Sequence, residues 1–266
     1  MTSPRKQRLD KAVSLLQGRY GARILQPASA AAGKAPPPHF STGFAPLDAA
    51  TGCGGIPLGA ITLLAGRTTS GKLTVAYKAL AGAQHSPARR LHSVAIIDLT
   101  RTANPDYLAR CGVDLACVLV ARPQAGPPAV DLIFDLARSP NLRAVLIDGA
   151  ADLSGERAAA RYFDAALPQL RLALAALPCA VIFLDEPQPP WRRWLGWASA
   201  AGERSALAQC AALSIELKHE QWLERDGELA GYRSQAQVRK SRWARGGQSA
   251  AIEIVFNGTV RARGTW

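Results

Sequence analysis

AITLLAGRTTSGKLT, Ala60 to Thr74, is an apolar run that ends on a glycine and restarts as a helix-forming sequence. Ala60–Gly66 has the short, continuous apolar character of a strand buried on both faces. Gly66, Arg67, Thr68, Thr69, Ser70, Gly71 and Lys72 fit the first seven positions of the phosphate-binding pattern G-x-x-x-x-G-K-[ST]. In that pattern the glycines let backbone N–H groups close round phosphate oxygens. The following helix adds the partial positive charge of its N-terminus, and Lys72 adds a point charge for the outer phosphates. The eighth position departs: Leu73 stands where a Ser or Thr hydroxyl would ligate Mg2+. Thr74 is one residue on, about 100° further round the helix, and is a poor replacement. The plainer alternative is a glycine-rich turn from strand to helix.

Outward from this loop the same texture repeats. HSVAIIDLT (92–100), ACVLVARP (116–123), LRAVLIDGA (142–150) and CAVIFLDEP (179–187) are short apolar strands. Helical stretches lie between them: KLTVAYKALAGAQ (72–84), NPDYLARCG (104–112), PAVDLIFDLARS (128–139) and a long one over 155–177, which Pro168 should bend or break. Strands alternating with helices predict an α/β fold with a mostly parallel central sheet covered on both faces. Beyond residue 205 three stretches read as antiparallel strands, with turns at RDGE (225–228) and RGGQ (245–248). AVLIDGA (144–150) places Asp148 at the C-terminal edge of a strand, the Walker B form, where a carboxylate holds Mg2+ through water. A strand-end Asp is common by itself. Following the loop by about 75 residues, it is much more specific.

Ahead of the core, residues 4–18 read as an amphipathic helix, with Leu9, Val13 and Leu16 on one face and Arg5, Lys6, Arg8 and Lys11 elsewhere. The Ala- and Pro-rich QPASAAAGKAPPPHF (26–40) reads as a linker. The expected organisation is therefore an N-terminal basic helix, strand and linker over 1–39 and one α/β core domain over 40–266. Net charge is +12. Residues 1–24 carry six Lys/Arg against one acid and residues 230–266 seven against one, leaving the middle near +1. Two basic ends on a near-neutral core suggest a polyanionic partner; an Arg-rich surface with no such partner is the alternative. Five cysteines form no C-x-x-C pair and four histidines are dispersed, which argues against a zinc site and for reduced thiols in the cytoplasm. The N-terminus lacks the apolar core of a secretory signal, and no run of about 18 apolar residues predicts a membrane span.

Residues 186–204, EPQPPWRRWLGWASAAGER, concentrate Trp191, Arg192, Arg193, Trp194 and Trp197. Aromatic faces stack on bases and arginines neutralise phosphates, so single-stranded DNA is one ligand such a loop fits. A protein interface is a second reading. Spacing of three along the tryptophans also fits one face of a helix, packed inside the molecule.

FSTGFAPLDAATGCGGIPLGAITLLAGRTTSGKLT (40–74) resembles the bacterial RecA recombinases, and the segment before the loop carries more of the likeness than the loop itself. The resemblance continues through IIDLTRTANPDYLARCGVD (96–114) and AVLIDGA. It is weaker in SIELKHEQW (214–222) and QVRKSRWARGGQSAAIEIVFNG (237–258), and it reaches back to DKAVSLLQGRYGARIL (10–25). It implies a RecA-like P-loop core preceded by a helical arm that docks on a neighbouring protomer. The family's small C-terminal domain has no counterpart before Trp266. By position, Lys72 matches the loop lysine, Asp148 the Walker B aspartate, and Tyr107 the residue that stacks on adenine. Lys240 and Arg242 match two basic residues that reach the γ-phosphate held by a neighbouring subunit. The 186–204 loop falls at the second DNA-binding loop.

The departures form a set. Thr100 stands at the position of the catalytic Glu, and a Thr is no carboxylate base. Leu73 replaces the hydroxyl. Asp185 and Glu186 replace an Asn-Gln sensor of the γ-phosphate, although Glu186 is a substitute candidate for activating water. The first DNA-binding loop is also shortened. The resemblance therefore implies bound ATP and Mg2+ with weak or absent hydrolysis. The expected role is an accessory in DNA repair and the SOS response, of the ImuA type. It would bind single-stranded DNA and RecA or translesion-polymerase subunits, with homo-oligomerisation through the arm. An active ATP-dependent recombinase forming filaments is the alternative, and a regulator using the fold as an interaction module is a third reading.

Overall fold

The computed structural model describes residues 4–21, 36–85, 92–154, 157–186, 206–225 and 227–256. It divides into two compact units, Met1–Pro36 and Pro37–Trp266. In the first, helix α1 (Pro4–Tyr20) runs two residues past its expected end, with Leu9, Leu15, Leu16 and Tyr20 exposed. The strand expected between α1 and the linker lies outside the described residues.

The second unit is built on an eight-stranded sheet among the described residues. After the short pair β1 (His39–Phe40) and β2 (Ile56–Pro57), which flank α2 (Ala45–Thr51), come β3 (Ile61–Gly66) and α3 (Lys72–Gln84). Then follow β4 (Ser93–Asp98), α4 (Pro105–Arg110), β5 (Val118–Ala121), α5 (Pro127–Arg138), β6 (Leu142–Asp148), α6 (Arg157–Leu174) and β7 (Ala180–Asp185). Last are α7 (Ala206–Cys210), β8 (Leu213–Arg225), β9 (Glu228–Ser241) and β10 (Ser249–Val255). The order across the sheet is β10-β9-β8-β3-β7-β6-β4-β5. Strands β3 to β7 are mutually parallel where they pair, and β8 is also parallel to β3. The antiparallel part begins only at the β8–β9 and β9–β10 pairs. β8 thus joins both regimes, where the sequence pattern placed it with the antiparallel strands.

Strand period explains the core. Leu64, Ile96, Leu146 and Ile182 point to one face and pack with α2, α3 and α4. Their alternates Leu63, Ile97, Ile147 and Phe183 point to the other and pack with α5, α6 and α7. Both faces being covered, the central strands read as unbroken apolar runs. Helix α6 runs through Pro168 without a break, where the sequence expected a bend or a break. The cost of an interior proline is about 3 kcal/mol. Phe163, Leu167, Leu170 and Leu174, on both sides of it, are buried in the second core cluster. At roughly 1.5–3 kcal/mol per buried side chain, that stripe outweighs the missing N–H.

The turn ahead of β3 is equally determined. Asp48 of α2 accepts hydrogen bonds from the Thr42 amide at 2.8 Å, the Thr42 hydroxyl at 2.7 Å and the Ser41 hydroxyl. A Cβ at Gly55 would sit 2.1 Å from the Phe40 carbonyl oxygen, so only glycine lets β2 close on β1 there. This is the physical content of the S-T-G…L-D…G-G run.

Candidate functional site

The strand-to-helix loop sits at the C-terminal edge of β3. β3 ends on Gly66 and α3 begins at Lys72, with Thr69 (φ 66°) and Gly71 (φ 87°) in the left-handed region. Arg67, Thr68 and Thr69 are exposed, while Ser70 and Gly71 are buried. Among the described residues the Ser70 hydroxyl has no hydrogen-bond partner, and a Cβ at Gly66 would meet it at 2.3 Å. The loop is wound tightly under the N-terminus of a 13-residue helix, the geometry that presents backbone N–H groups to an anion. Lys72 Nζ folds back to the Gly66 carbonyl oxygen at 2.7 Å and lies 3.3 Å from Glu186 Oε2.

Five acidic or hydroxyl positions lie at this edge of the sheet, at the ends of β4, β6 and β7 or just beyond. β6 and β4 pair with Asp148 opposite Asp98. Asp98 is fully buried; it accepts from Arg122 Nε at 2.9 Å and from the amides of Thr102 and Ala103 at 2.9 and 3.2 Å. Burial opposes its ionisation, but these donors prevail and hold the carboxyl below the usual aspartate value. Asp148 behaves oppositely. Burial pushes its carboxyl up, against a hydrogen bond from Thr102 Oγ1 at 3.0 Å. Thr100 Oγ1 is 2.7 Å from Thr102 Oγ1 and donates to Asp98 Oδ1 at 3.4 Å. Burial also raises Asp185, whose Oδ1 accepts from the Glu186 amide at 2.9 Å. Asp98, Thr102 and Arg122 were absent from the residues expected here. The signal was present: IID (96–98) has the same apolar-run-then-Asp form as LID (146–148).

Leu73 packs against the first core cluster, and the Thr74 hydroxyl is buried and paired with the Tyr107 hydroxyl. Thr74 therefore faces away from the loop mouth. Tyr107 is half-buried, 5.7 Å from the Tyr77 ring, and burial raises its hydroxyl to about 12. Asn104 caps α4 by accepting from the Asp106 and Tyr107 amides, which fixes the Tyr107 backbone.

Comparison with known proteins bears on this arrangement. The family model for the RecA N-terminal domain matches residues 7–261. The chain belongs to the RecA family. It is 28% identical to Protein RecA of Paenarthrobacter aurescens over 243 residues, covering 87% of this chain and 69% of that one. Against Protein RecA of Frankia alni it is 29% identical, covering 84% and 67%. Against that of Aquifex aeolicus it is 28% identical, covering 96% and 76%.

In this RecA-family chain the basic pair is separated from the loop. Lys240 stands opposite Ser214, which stands opposite Leu63, three strand residues or roughly 10 Å short of Gly66. Its Nζ donates to the Ala208 and Gln209 carbonyl oxygens at 3.0 and 2.7 Å, closing the C-terminal end of α7. Burial, then the charge of Arg242, lowers its ammonium. Arg242 itself is exposed. Trp191, Arg192, Arg193, Trp194 and Trp197 lie outside the described residues. For a nucleotide, the fit is good on the phosphate side: Lys72, the α3 N-terminus and the tight loop suit a polyphosphate. It is poorer for Mg2+, since Leu73 packs against the first core cluster and supplies no hydroxyl. Among the described residues, no group of three or more His, Cys, Asp or Glu could hold a metal ion. No helix among them is long and apolar enough to cross a membrane.

Proposed function

We propose that this protein is a RecA-like accessory of DNA repair. It binds nucleotide phosphates with little or no hydrolysis and acts on single-stranded DNA together with RecA or translesion-polymerase partners. The observation that carries the reading is the state of Thr100 and Leu73. Thr100 offers a hydroxyl tied to Thr102 and Asp98, and Leu73 offers a side chain packed in the core. Thr100 cannot take a proton from water as a carboxylate does, and Leu73 cannot ligate Mg2+. Lys72 and the first amides of α3 would hold the phosphates, and ATP with Mg2+, when bound, supplies the charged chain they grip.

A second reading, an active ATP-dependent recombinase, draws on Glu186, a carboxylate beside Lys72 and Thr68 that would have to activate the attacking water. Steady-state ATP turnover with and without single-stranded DNA separates the two. The accessory reading expects turnover at the buffer background in both conditions, unchanged by Lys72→Ala. DNA-stimulated turnover that Lys72→Ala abolishes would establish the recombinase instead.

A further inference from the structure

β7 lies beside β3 with Asp185 opposite Ala65, so the next residue, Glu186, falls level with Gly66 at the start of the loop. Its two carboxylate oxygens reach two different donors of that loop. Oε2 is 3.3 Å from Lys72 Nζ, and Oε1 accepts from Thr68 Oγ1 at 3.4 Å. The carboxylate thus spans the mouth and engages the donors that an outer phosphate would use. Lys72 is only 17% exposed and Glu186 53%, so the anion sits on the solvent side of the cation. The charge of Lys72 also acts on the carboxyls of Asp148 and Asp185. With Glu186 in contact with Lys72, a polyphosphate entering here meets an anion already in place.

We propose that Glu186 is a built-in competitor of the outermost phosphate, so that this cradle takes a nucleoside diphosphate in preference to the triphosphate. This rests on the nucleotide reading above. Glu186 is half exposed, so its pair with Lys72 is screened and by itself shifts binding by at most about fivefold. Repulsion between the carboxylate and a phosphate drawn next to it comes on top, and it grows with each phosphate added. A diphosphate can use the amides of α3 and still leave Glu186 near Thr68, whereas a triphosphate has to displace it.

Equilibrium binding of ADP and ATP by calorimetry tests this on the full chain, with EDTA at fixed ionic strength, for the wild type, Glu186→Gln and Lys72→Ala. Glutamine keeps the shape and hydrogen-bonding ends of the side chain and removes its charge. The expected result is that Glu186→Gln tightens ATP by roughly tenfold and ADP by roughly threefold, shrinking the wild-type preference for ADP. Lys72→Ala is expected to weaken both. An unchanged ratio of ADP to ATP affinity, or weaker ATP binding by Glu186→Gln, overturns the competitor while leaving nucleotide binding in place. If neither the wild type nor Glu186→Gln binds either nucleotide, the nucleotide reading fails and the competitor falls with it.

Discussion

Asp98 and Asp148 are the same residue type at the same register position of neighbouring strands, yet they are pushed in opposite directions. What separates them is donor count. Asp98 has a guanidinium and two amides, whereas the donors at Asp148 are the threonine hydroxyls of Thr102 and Thr100. The stability consequences have opposite signs. Asp98, depressed in the fold, contributes stability that is present above the unfolded aspartate value and is lost as pH falls through its lower folded value. Asp148 and Asp185, raised in the fold, contribute stability that is present below the unfolded value and lost as pH rises through the folded one. Acidification from neutrality should first favour the fold slightly and then, below the usual aspartate range, destabilise it. Arg122→Ala isolates the Asp98 contribution. It leaves a fully buried carboxylate short of a charged donor, so the loss at pH 7 is expected to be about 1–3 kcal/mol in urea unfolding. Repeated at progressively lower pH, the gap to wild type should close as Asp98 protonates. A gap that stays constant with pH would mean that Arg122 acts by packing alone.

At the scale of elements, the site depends on the turn that delivers β3. Asp48 accepts three hydrogen bonds from Ser41 and Thr42 and ties the start of α2 to the end of β1. Asp48→Ala should cost about 1–3 kcal/mol by leaving the buried Thr42 amide and hydroxyl without their acceptor, measured by thermal or urea unfolding. Asp48→Asn should cost less, since its oxygen still accepts. A loss under about 0.5 kcal/mol for Asp48→Ala would show that this turn is held by packing instead. This run was also the most informative part of the sequence, because its hydroxyls, acid and glycines meet within a few residues of one another. The central strands were legible for a similar reason, since burial on both faces leaves an uninterrupted apolar run. Pro168 does not break α6 because a local rule was set against a four-residue buried stripe. The Glu186–Lys72–Thr68 contact joins residues more than a hundred positions apart, and only the register of β7 on β3 brings it about. The contact of Lys240 with the end of α7 was hidden in the same way.

Across the whole molecule, the excess positive charge is not equally available to a polyanion. Near the C-terminus, Arg233 pairs with Glu253 at 2.7 Å, Arg239 Nε with Glu216 at 2.6 Å, and Lys240 with backbone carbonyls. Those charges are partly neutralised within the chain, so β9 is a poor place to bind DNA phosphates despite its composition. The surplus that remains is drawn from residues outside that strand, and the segment 186–204 adds arginines interleaved with tryptophans. Single-stranded DNA binding should therefore weaken as salt rises, through release of counterions. It should also depend on the loop far more than on β9. With stacking worth about 1–3 kcal/mol per base, replacing Trp191, Trp194 and Trp197 together by Ala should lower affinity at least tenfold. Arg239→Ala should change it by less than about twofold, because that guanidinium is already committed to Glu216. Fluorescence anisotropy with a labelled oligonucleotide at several salt concentrations measures both. If the triple variant binds DNA as the wild type does, the loop serves a protein surface instead, and the tryptophans become the anchors by which a partner would be sought.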